Sequence, residues 1–459
     1  MKIPIEKISK FLPAVEKPKY KQPLNKRIMW TGIALILYFL LSHITIYGIA
    51  KVPELEYLMT IQLLLGAKFG SLMTLGIGPI VTSGILLQLL IGSKIINWDM
   101  SKPESREKFQ TWSKFLAILF CFLTSIAYLM GGAIPVKPGI LIFVFVVFQL
   151  AMGGIIVILL DELVSKWGIG SGISLFIAAG VGSQIIISTI SPFKTPTGEF
   201  VGKLWNFLNY VWIGNNSLAL INLLPMLSTI LIFLIVVYAQ DIGVEIPLAF
   251  SFLRGFGRTW TLKLFYTSNI PVILAAALIS YLQLLGRFGI DTNTNCSFLA
   301  CYDENGNVVS GIVYYLTSPR YLLENIILGT VSSPEIIRAI TYMIFMSITC
   351  IIFSVFWIST SGMDPAGVAE QIESIGMQIP GYRRDKKTIE SVLKKYIPYL
   401  AVLGGLFVGF LATVADFTGA LGTGTGILLT VMIVYNYYEE FRMQKIDELH
   451  PIIRKIIGE

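Results

Sequence analysis

GSLMTLGIGPIVTSGILLQLLIG, residues 70–92, is the stretch whose reading decides the fold. Roughly 20 apolar residues cross the hydrocarbon core of a bilayer, and this stretch is long and apolar enough to do so. Gly70, Gly76, Gly78, Pro79 and Gly84 interrupt it, a composition that an ordinary lipid-facing helix does not need. Just before it, Tyr57–Gly66 (YLMTIQLLLG) is apolar but too short to span. It reads as a re-entrant or interfacial half-helix, hinged to the span through Lys68 with Gly66 and Gly70 at its flanks. Freed backbone N–H and C=O groups find no partner in lipid. A broken span beside a short apolar plug therefore implies irregular backbone facing a cavity inside protein. Small residues also let helix backbones approach closely, and on this stretch alone the two readings stand side by side.

The rest of the chain is in keeping. Its 459 residues are 54% hydrophobic and only 14% charged, the composition of a polytopic membrane protein. Ten segments are long enough to cross: roughly 28–49, 71–92, 115–131, 139–160, 169–190, 218–239, 264–286, 339–358, 397–415 and 423–438. The first has a basic flank, but its core is too long for a secretory signal and no small-residue cleavage signature follows, so it reads as a retained helix. Lysine and arginine set the orientation. Of the 35, 27 fall on one side: the tail 1–27, loop 93–114, Lys166, Arg254, Arg258, Lys263, loop 359–396 and the C-terminal tail. Lys51, Lys68, Lys137, Lys194, Lys203, Arg287, Arg320 and Arg338 fall on the other. Both termini are then cytoplasmic, which requires an even number of spans. The net charge of +7 gathers on that face, where it suits anionic lipid or a large acidic partner.

Cys121 and Cys350 lie within spans, where a free thiol is an apolar packer. Cys296 and Cys301 share a long external loop, where a bridge between them and two free thiols are both open readings. Neither pair has the spacing of a zinc site. No metal or cofactor is expected.

In chain order, residues 1–27 are basic, with Ile5, Ile8, Phe11 and Leu12 at helical spacing, and read as an amphipathic cytoplasmic segment on the membrane surface. His43 is the one ionisable residue inside the ten segments and reads as a packed, hydrogen-bonded group. Gly168–Ile173 (GIGSGI) is a second glycine cluster, placed at the start of its span. No strand precedes it and no Lys-Ser/Thr closes it, so it is no phosphate loop. Loop 191–217 is polar and external, long enough to link two halves, 28–190 and 218–438, of five spans each. Two copies of an odd-numbered helix set insert with opposite orientation, which implies inverted halves. Residues 240–263 form a Gly-rich cytoplasmic loop, and Ser268–Pro271 breaks the seventh span early. Asn305-Gly306 marks a turn in the external loop 287–334, and Asn215 and Asn295 each begin an N-x-Ser pattern. Asp364-Pro365 opens a helix to about Ile375 within loop 359–396. Gly419–Gly426 (GALGTGTG) opens the tenth span, and 439–459 is a cytoplasmic tail.

No catalytic set is visible, and no Asp, Glu, Lys or Arg lies within the ten segments. That weighs against ion-coupled transport. An intramembrane hydrolase, with His43 alone to supply acid–base chemistry, ranks below a secondary transporter with inverted repeats. What remains is Gly/Pro-broken spans lined by Ile, Val and Leu, and a ring of such side chains blocks ions by dewetting while yielding to a larger object.

Along essentially its whole length the chain resembles the SecY / Sec-complex alpha subunit family of protein-conducting channels, in its archaeal and eukaryotic branch. The matching stretches are LGIGPIVTSGI, GIGSGISLFIAAG, VEIPLA, FYTSNIPVILAAAL, GMDPAGVAEQI, GALGTGTGILLTV and the tail ELHP. The resemblance implies an all-α polytopic membrane protein of ten transmembrane helices in two inverted five-helix halves around a central pore, with a re-entrant plug helix. The pore ring then falls on Ile77, Val81, Ile169, Ile173, Ile273 and Leu429, with Leu428 one residue away. The plug falls on 54–67, with Leu58, Ile61, Leu64 and Leu65. A lateral gate is implied between spans two and three on one side and seven and eight on the other, with Thr82, Gln88 and Asn269 as its polar residues. Loops 240–263 and 359–396 resemble ribosome-docking loops, with Arg254 and Arg383 the docking residues. Gly243 departs from the pattern, standing where some relatives have Arg. The implied function is passive conduction of secretory polypeptides across the membrane, with transmembrane segments released sideways to lipid, and no enzymatic activity. The implied partners are the SecE/gamma and beta subunits, the ribosome and nascent chain, signal sequences and transmembrane segments, membrane lipid, and the signal recognition particle receptor. The implied location is the plasma membrane, with the endoplasmic reticulum membrane as the alternative.

Overall fold

The computed structural model describes residues 12–20, 22–49, 68, 70–92, 95–98, 103–130, 134–194, 198–250, 257–286, 296–302, 308–319, 322–374, 376–378 and 385–448. Among them, fifteen helices and five short strands are found. The first seven helices are α1 (Leu24–His43), α2 (Gly78–Gly92), α3 (Pro103–Met130), α4 (Ile140–Trp167), α5 (Gly172–Ile190), α6 (Lys203–Ile213) and α7 (Asn216–Asp241). Strands β1 (Gly243–Phe250) and β2 (Gly257–Lys263) precede α8 (Ile270–Leu285). Strands β3 (Ala300–Tyr302) and β4 (Val308–Gly311) lead to α9 (Ile312–Leu316), α10 (Leu322–Leu328) and α11 (Ser333–Ser361). Last come α12 (Pro365–Ser374), β5 (Met377–Gln378), α13 (Lys386–Leu393), α14 (Ile397–Phe417) and α15 (Gly424–Glu448).

Each of the ten apolar segments holds the greater part of one helix: α1 to α5, α7, α8, α11, α14 and α15. Seven described helices are long and apolar enough to cross a membrane by themselves, and α2 and α8 are shorter apolar helices. This is a ten-helix polytopic membrane fold. The chain divides into two compact units. The first takes in residues 1–84, 110–183 and 430–459; the second takes in 85–109 and 184–429.

In the first unit, α1 packs on α4 and stacks Tyr38 on Phe176 of α5, ring centroids 4.8 Å apart. The first span is shorter than expected. Its helix ends at His43, whose Nδ1 lies 2.8 Å from the Phe39 carbonyl of the same helix. The β-branched run Ile44-Thr45-Ile46 favours extended backbone, and Thr45 and Ile49 bridge to Ser71 and Val136. The free thiol of Cys121 is fully buried against Gly154 of α4.

In the second unit, α11 and α14 share a seam of small residues. An added Cβ at Gly405 or Gly409 would run into Cys350, Ser354 and Ser347, the kind of close backbone approach that membrane helices use. A capping box of Ser332 and Glu335 starts α11, and Gly362, at φ 70°, stops it. Pro225 lies inside α7, and the hydroxyl of Thr229 donates to its carbonyl at 2.7 Å. The stretch 240–263 is more than a Gly-rich loop: β1 and β2 pair from Gly243–Lys263 to Ala249–Gly257, and β5 adds a short third strand. Their inner face (Ile246, Leu248, Leu262) shares a core with Val368, Ala369 and Ile372 of α12 and Ile389 and Leu393 of α13. The α12 helix opens at Pro365 after Asp364, where the motif puts it. Cys296 and Cys301 form a disulfide beside the β3–β4 hairpin. Asn215 serves as the N-cap of α7, its side chain accepting from Leu218 N at 3.3 Å.

Candidate pore and gate segments

Residues 70–77, the first third of the decisive stretch, are not helical. The backbone instead closes a run of short turns: Ser71 N to Lys68 O, Thr74 N to Ser71 O, Gly76 N to Met73 O and Gly78 N to Leu75 O, all 3.0–3.1 Å. Leu72 N donates to Ile44 O at 2.9 Å. These bonds answer the demand that backbone polar groups be paired inside protein wherever helix is lost. Gly70 and Gly76 take φ of 83° and 51°, which is what their glycines allow. Met73, Leu75 and Ile77 are buried. The Leu72 carbonyl is seated directly on Gly153 of α4, where no side chain would fit.

The second unit repeats this arrangement. Residues 264–269 are irregular before α8 begins at Ile270, with Ser268 at φ 54°. Tyr266 donates to Met363 O at 2.9 Å, and the hydroxyls of Thr267 and Ser354 pair at 3.0 Å. Ser354 also donates to Ala401 O at 2.7 Å. The Leu264 carbonyl is seated on Gly404 of α14, as Leu72 is on Gly153. Both helices then open with proline at their second position, Gly78-Pro79-Ile80-Val81 and Ile270-Pro271-Val272-Ile273, where a missing N–H costs nothing.

Ring candidates follow these starts. Ile77 and Val81 lie one helical turn apart at the head of α2, Val81 N donating to Ile77 O. Ile273 stands one turn after Asn269, whose carbonyl accepts from its N–H at 3.2 Å. Ile169 N donates to the Thr31 hydroxyl at 3.1 Å and Ile173 N to Asp161 Oδ1 at 2.9 Å. Tyr437 of α15 donates to Ser171 O at 2.7 Å between them. Ile77, Ile169, Leu428 and Leu429 are buried, while Val81, Ile173 and Ile273 are partly so. Ile77, Val81, Ile169 and Ile173 belong to the first unit, and Ile273, Leu428 and Leu429 to the second.

Of the polar gate candidates, Thr82 donates to Gly78 O within its own helix at 2.9 Å. Asn269 is buried and accepts from Ser268, and Gln88 is half-buried on α2. The plug 54–67, with Leu58, Ile61, Leu64 and Leu65, lies outside the described residues, as do the docking candidates Arg254 and Arg383. So do Ile5, Ile8, Phe11, Asn295, Asn305 and Gly306.

Charged residues lie just beyond two of the apolar segments, within the helices that carry them. Helix α4 runs seven residues past 160 and contains Asp161, Glu162 and Lys166. Helix α14 runs two residues past 415 and buries Asp416. Asp416 accepts from Gly424 N at 2.7 Å and from Tyr342 Oη at 2.8 Å. Glu162 accepts from Val15 N at 2.9 Å and pairs with Lys114 at 2.9 Å and Lys166 at 3.3 Å, holding Val15 to the end of α4. Hydropathy alone ended those helices early, because a carboxylate that is paired at a helix end reads like a loop residue.

Comparison with known proteins fits this geometry. The family model described as SecY matches residues 71–438. The protein translocase subunit SecY of Methanocaldococcus jannaschii is 46% identical, covering 97% of this chain and 98% of its own length. That of Methanococcus vannielii is 45% identical, covering 99% of both. Among solved structures, one described as a protein conducting channel superposes with a TM-score of 0.81 at 44% identity, covering 98% of this chain and 99% of its own. Another, of Sec61 in the canine ribosome–channel complex from the endoplasmic reticulum, gives 0.78 at 44% identity, covering the same shares of each. With its ten helices, its two broken span starts and these matches over nearly its full length, the chain belongs to the SecY family of protein translocase subunits.

Proposed function

We propose that this chain is the central pore-forming subunit of a protein translocase, conducting secretory polypeptides passively and releasing transmembrane segments through a lateral gate. The observation that carries the reading is the pair of helix starts at Gly78 and Ile270. Each is preceded by buried irregular backbone with its polar groups paired, and each presents a β-branched side chain, Val81 and Ile273, in its first turn. Ile77, Val81, Ile169, Ile173, Ile273 and Leu429 form the hydrophobic ring, a constriction that holds back ions by dewetting. Residues 54–67 are the plug, and Thr82, Gln88 and Asn269 are the polar residues of the gate, which opens between α2 and α3 on one side and α8 and α11 on the other. A bound signal sequence shifts the population from closed to open.

Both termini lie in the cytoplasm, an orientation that the distribution of Lys and Arg supports; the membrane is the plasma membrane, with the endoplasmic reticulum membrane as the alternative. Residues 1–27 lie on the inner surface, 28–190 and 218–438 are the two halves, 191–217 links them, and 439–459 is a cytoplasmic tail. A ribosome is the partner, as the canine ribosome–channel complex supports; it docks on loops 240–263 and 359–396 through Arg254 and Arg383, since arginine forks suit RNA phosphate. SecE/gamma and beta subunits, and the signal recognition particle receptor, complete the set of protein partners. The test is translocation of a signal-bearing polypeptide into proteoliposomes. Full-length chain with its co-purifying subunits is expected to give protease-protected product, and vesicles without it none. Equal protection with and without the chain overturns the proposal.

A further inference from the structure

Two carboxylates buried or half-buried at helix ends do the same job in the two units. Asp161 lies near the end of α4, and its Oδ1 accepts from Ile173 N at 2.9 Å, twelve residues on. Asp416 lies near the end of α14, and its Oδ1 accepts from Gly424 N at 2.7 Å, eight residues on. In each case the chain turns through glycines and the next helix, α5 or α15, starts on the carboxylate. The first residue of each is glycine. A Cβ on Gly172 would meet Asp161 Cα at 2.6 Å, and one on Gly424 would meet the carbonyls and amides of Ala412 to Asp416. The first four N–H groups of a helix have no partner of their own, and a negative charge is favoured there. Each carboxylate thus caps the incoming helix from the outgoing one.

Both capped turns carry ring side chains. Ile173 offers the very N–H that Asp161 holds, and Leu428 and Leu429 follow Gly424 by little more than a turn. Asp416 has a second arm. Its Oδ2 accepts from the hydroxyl of Tyr342 on α11 at 2.8 Å, and α11 is one of the gate helices of the reading above.

We propose that Asp161 and Asp416 are equivalent positioning residues that hold the ring-bearing starts of α5 and α15, and that Asp416 ties the α15 start to the gate helix α11 through Tyr342. This rests on the pore reading. When α11 moves, the Tyr342 bond either breaks or draws the start of α15 with it, so opening of the gate and loosening of the ring are coupled at this carboxylate.

The test uses the full chain with its co-purifying subunits. Ion conductance is measured in planar bilayers without a client, and translocation of a client with a weakened signal sequence is measured in proteoliposomes. Asp161→Ala and Asp416→Ala are expected to raise resting conductance by roughly tenfold or more, the shift in an open–closed ratio that loss of one charge-assisted bond implies. Asp416→Asn, whose amide oxygen still accepts from Gly424 but without the charge, is expected to fall between Asp416→Ala and wild type. Tyr342→Phe removes only the α11 arm, so it is expected to leave resting conductance unchanged and to improve translocation of the weak-signal client. Ile273→Gly is the control for the pore itself. A leak in that control with wild-type conductance in both alanine variants overturns the positioning role and leaves the pore reading standing. No leak in the control overturns the pore reading and the inference together. If Asp416→Ala does not accumulate in membranes, Tyr342→Phe decides the coupling: no gain for the weak signal refutes it.

Discussion

Alanine at Gly153 and alanine at Gly182 are expected to move stability in opposite directions, although both glycines lie inside long helices of the first unit. Alanine gains about 1 kcal/mol over glycine in a helix interior. A Cβ on Gly182 of α5 would meet nothing within 4 Å, so Gly182→Ala keeps most of that gain, about 0.5–1 kcal/mol. A Cβ on Gly153 would overlap the Leu72 carbonyl oxygen, with Leu72 C at 2.9 Å and its Cγ at 3.3 Å. That obstacle is backbone, so no rotamer change relieves it, and residues 70–77 have to lift away from α4. Overpacking of this kind costs about 1–3 kcal/mol. Disturbing the Leu72 N to Ile44 O bond adds about 1 kcal/mol. Against the helix gain, Gly153→Ala comes out about 1–3 kcal/mol less stable than wild type. The assay is thermal unfolding of the purified chain in detergent, followed by exposure of Cys121 and Cys350, both buried free thiols. The expected order is Gly182→Ala above wild type and Gly153→Ala below it. If Gly153→Ala matches Gly182→Ala, the Leu72 seat on α4 is refuted.

Three further outcomes are expected. Glycine at Ile77, Ile273 and Leu429 together raises ion leak without a client, and unchanged conductance removes the ring assignment. Ser354→Ala takes a donor from Ala401 O and a partner from Thr267 in a buried site, so it lowers unfolding stability by about 1–3 kcal/mol; a neutral result in denaturant titration contradicts that network. Asn215→Ala removes the α7 cap and costs about 1 kcal/mol, while Asn215→Ser, which can still cap, stays near wild type; equal losses would argue against capping.

The ten spans were readable because each is a long apolar run, and lipid admits little else than helix in such a run. The irregular backbone at 70–77 was announced by Gly70 and Gly76, and the break before α8 by Ser268 to Pro271. Three kinds of feature were hidden. The β1–β2 hairpin was obscured by its glycines, although Val244-Glu245-Ile246 and Thr259-Trp260-Thr261-Leu262 do alternate along the strands. Asp161 and Asp416 fell just past the apolar windows, and their partners, Ile173, Gly424 and Tyr342, are recognisable only once the chain has turned back on itself. The repeat between the units was equally invisible residue by residue. It lies in shared devices: a leucine carbonyl seated on a helical glycine (Leu72 on Gly153, Leu264 on Gly404), proline in the first turn, and a carboxylate capping the next helix. Such geometry constrains few side chains, so little of it survives in the letters.

The central claim, that a polypeptide passes through a hydrophobic ring with a side exit, is tested most directly by site-specific crosslinking of ribosome-stalled nascent chains in membranes. Probes are placed at Ile77 and Ile273 for the ring and at Asn269 for the gate. The account predicts contact at Asn269 with short chains, moving to Ile77 and Ile273 as the chain lengthens. Ribosome binding with no crosslink at any of the three positions, at every chain length, would contradict it.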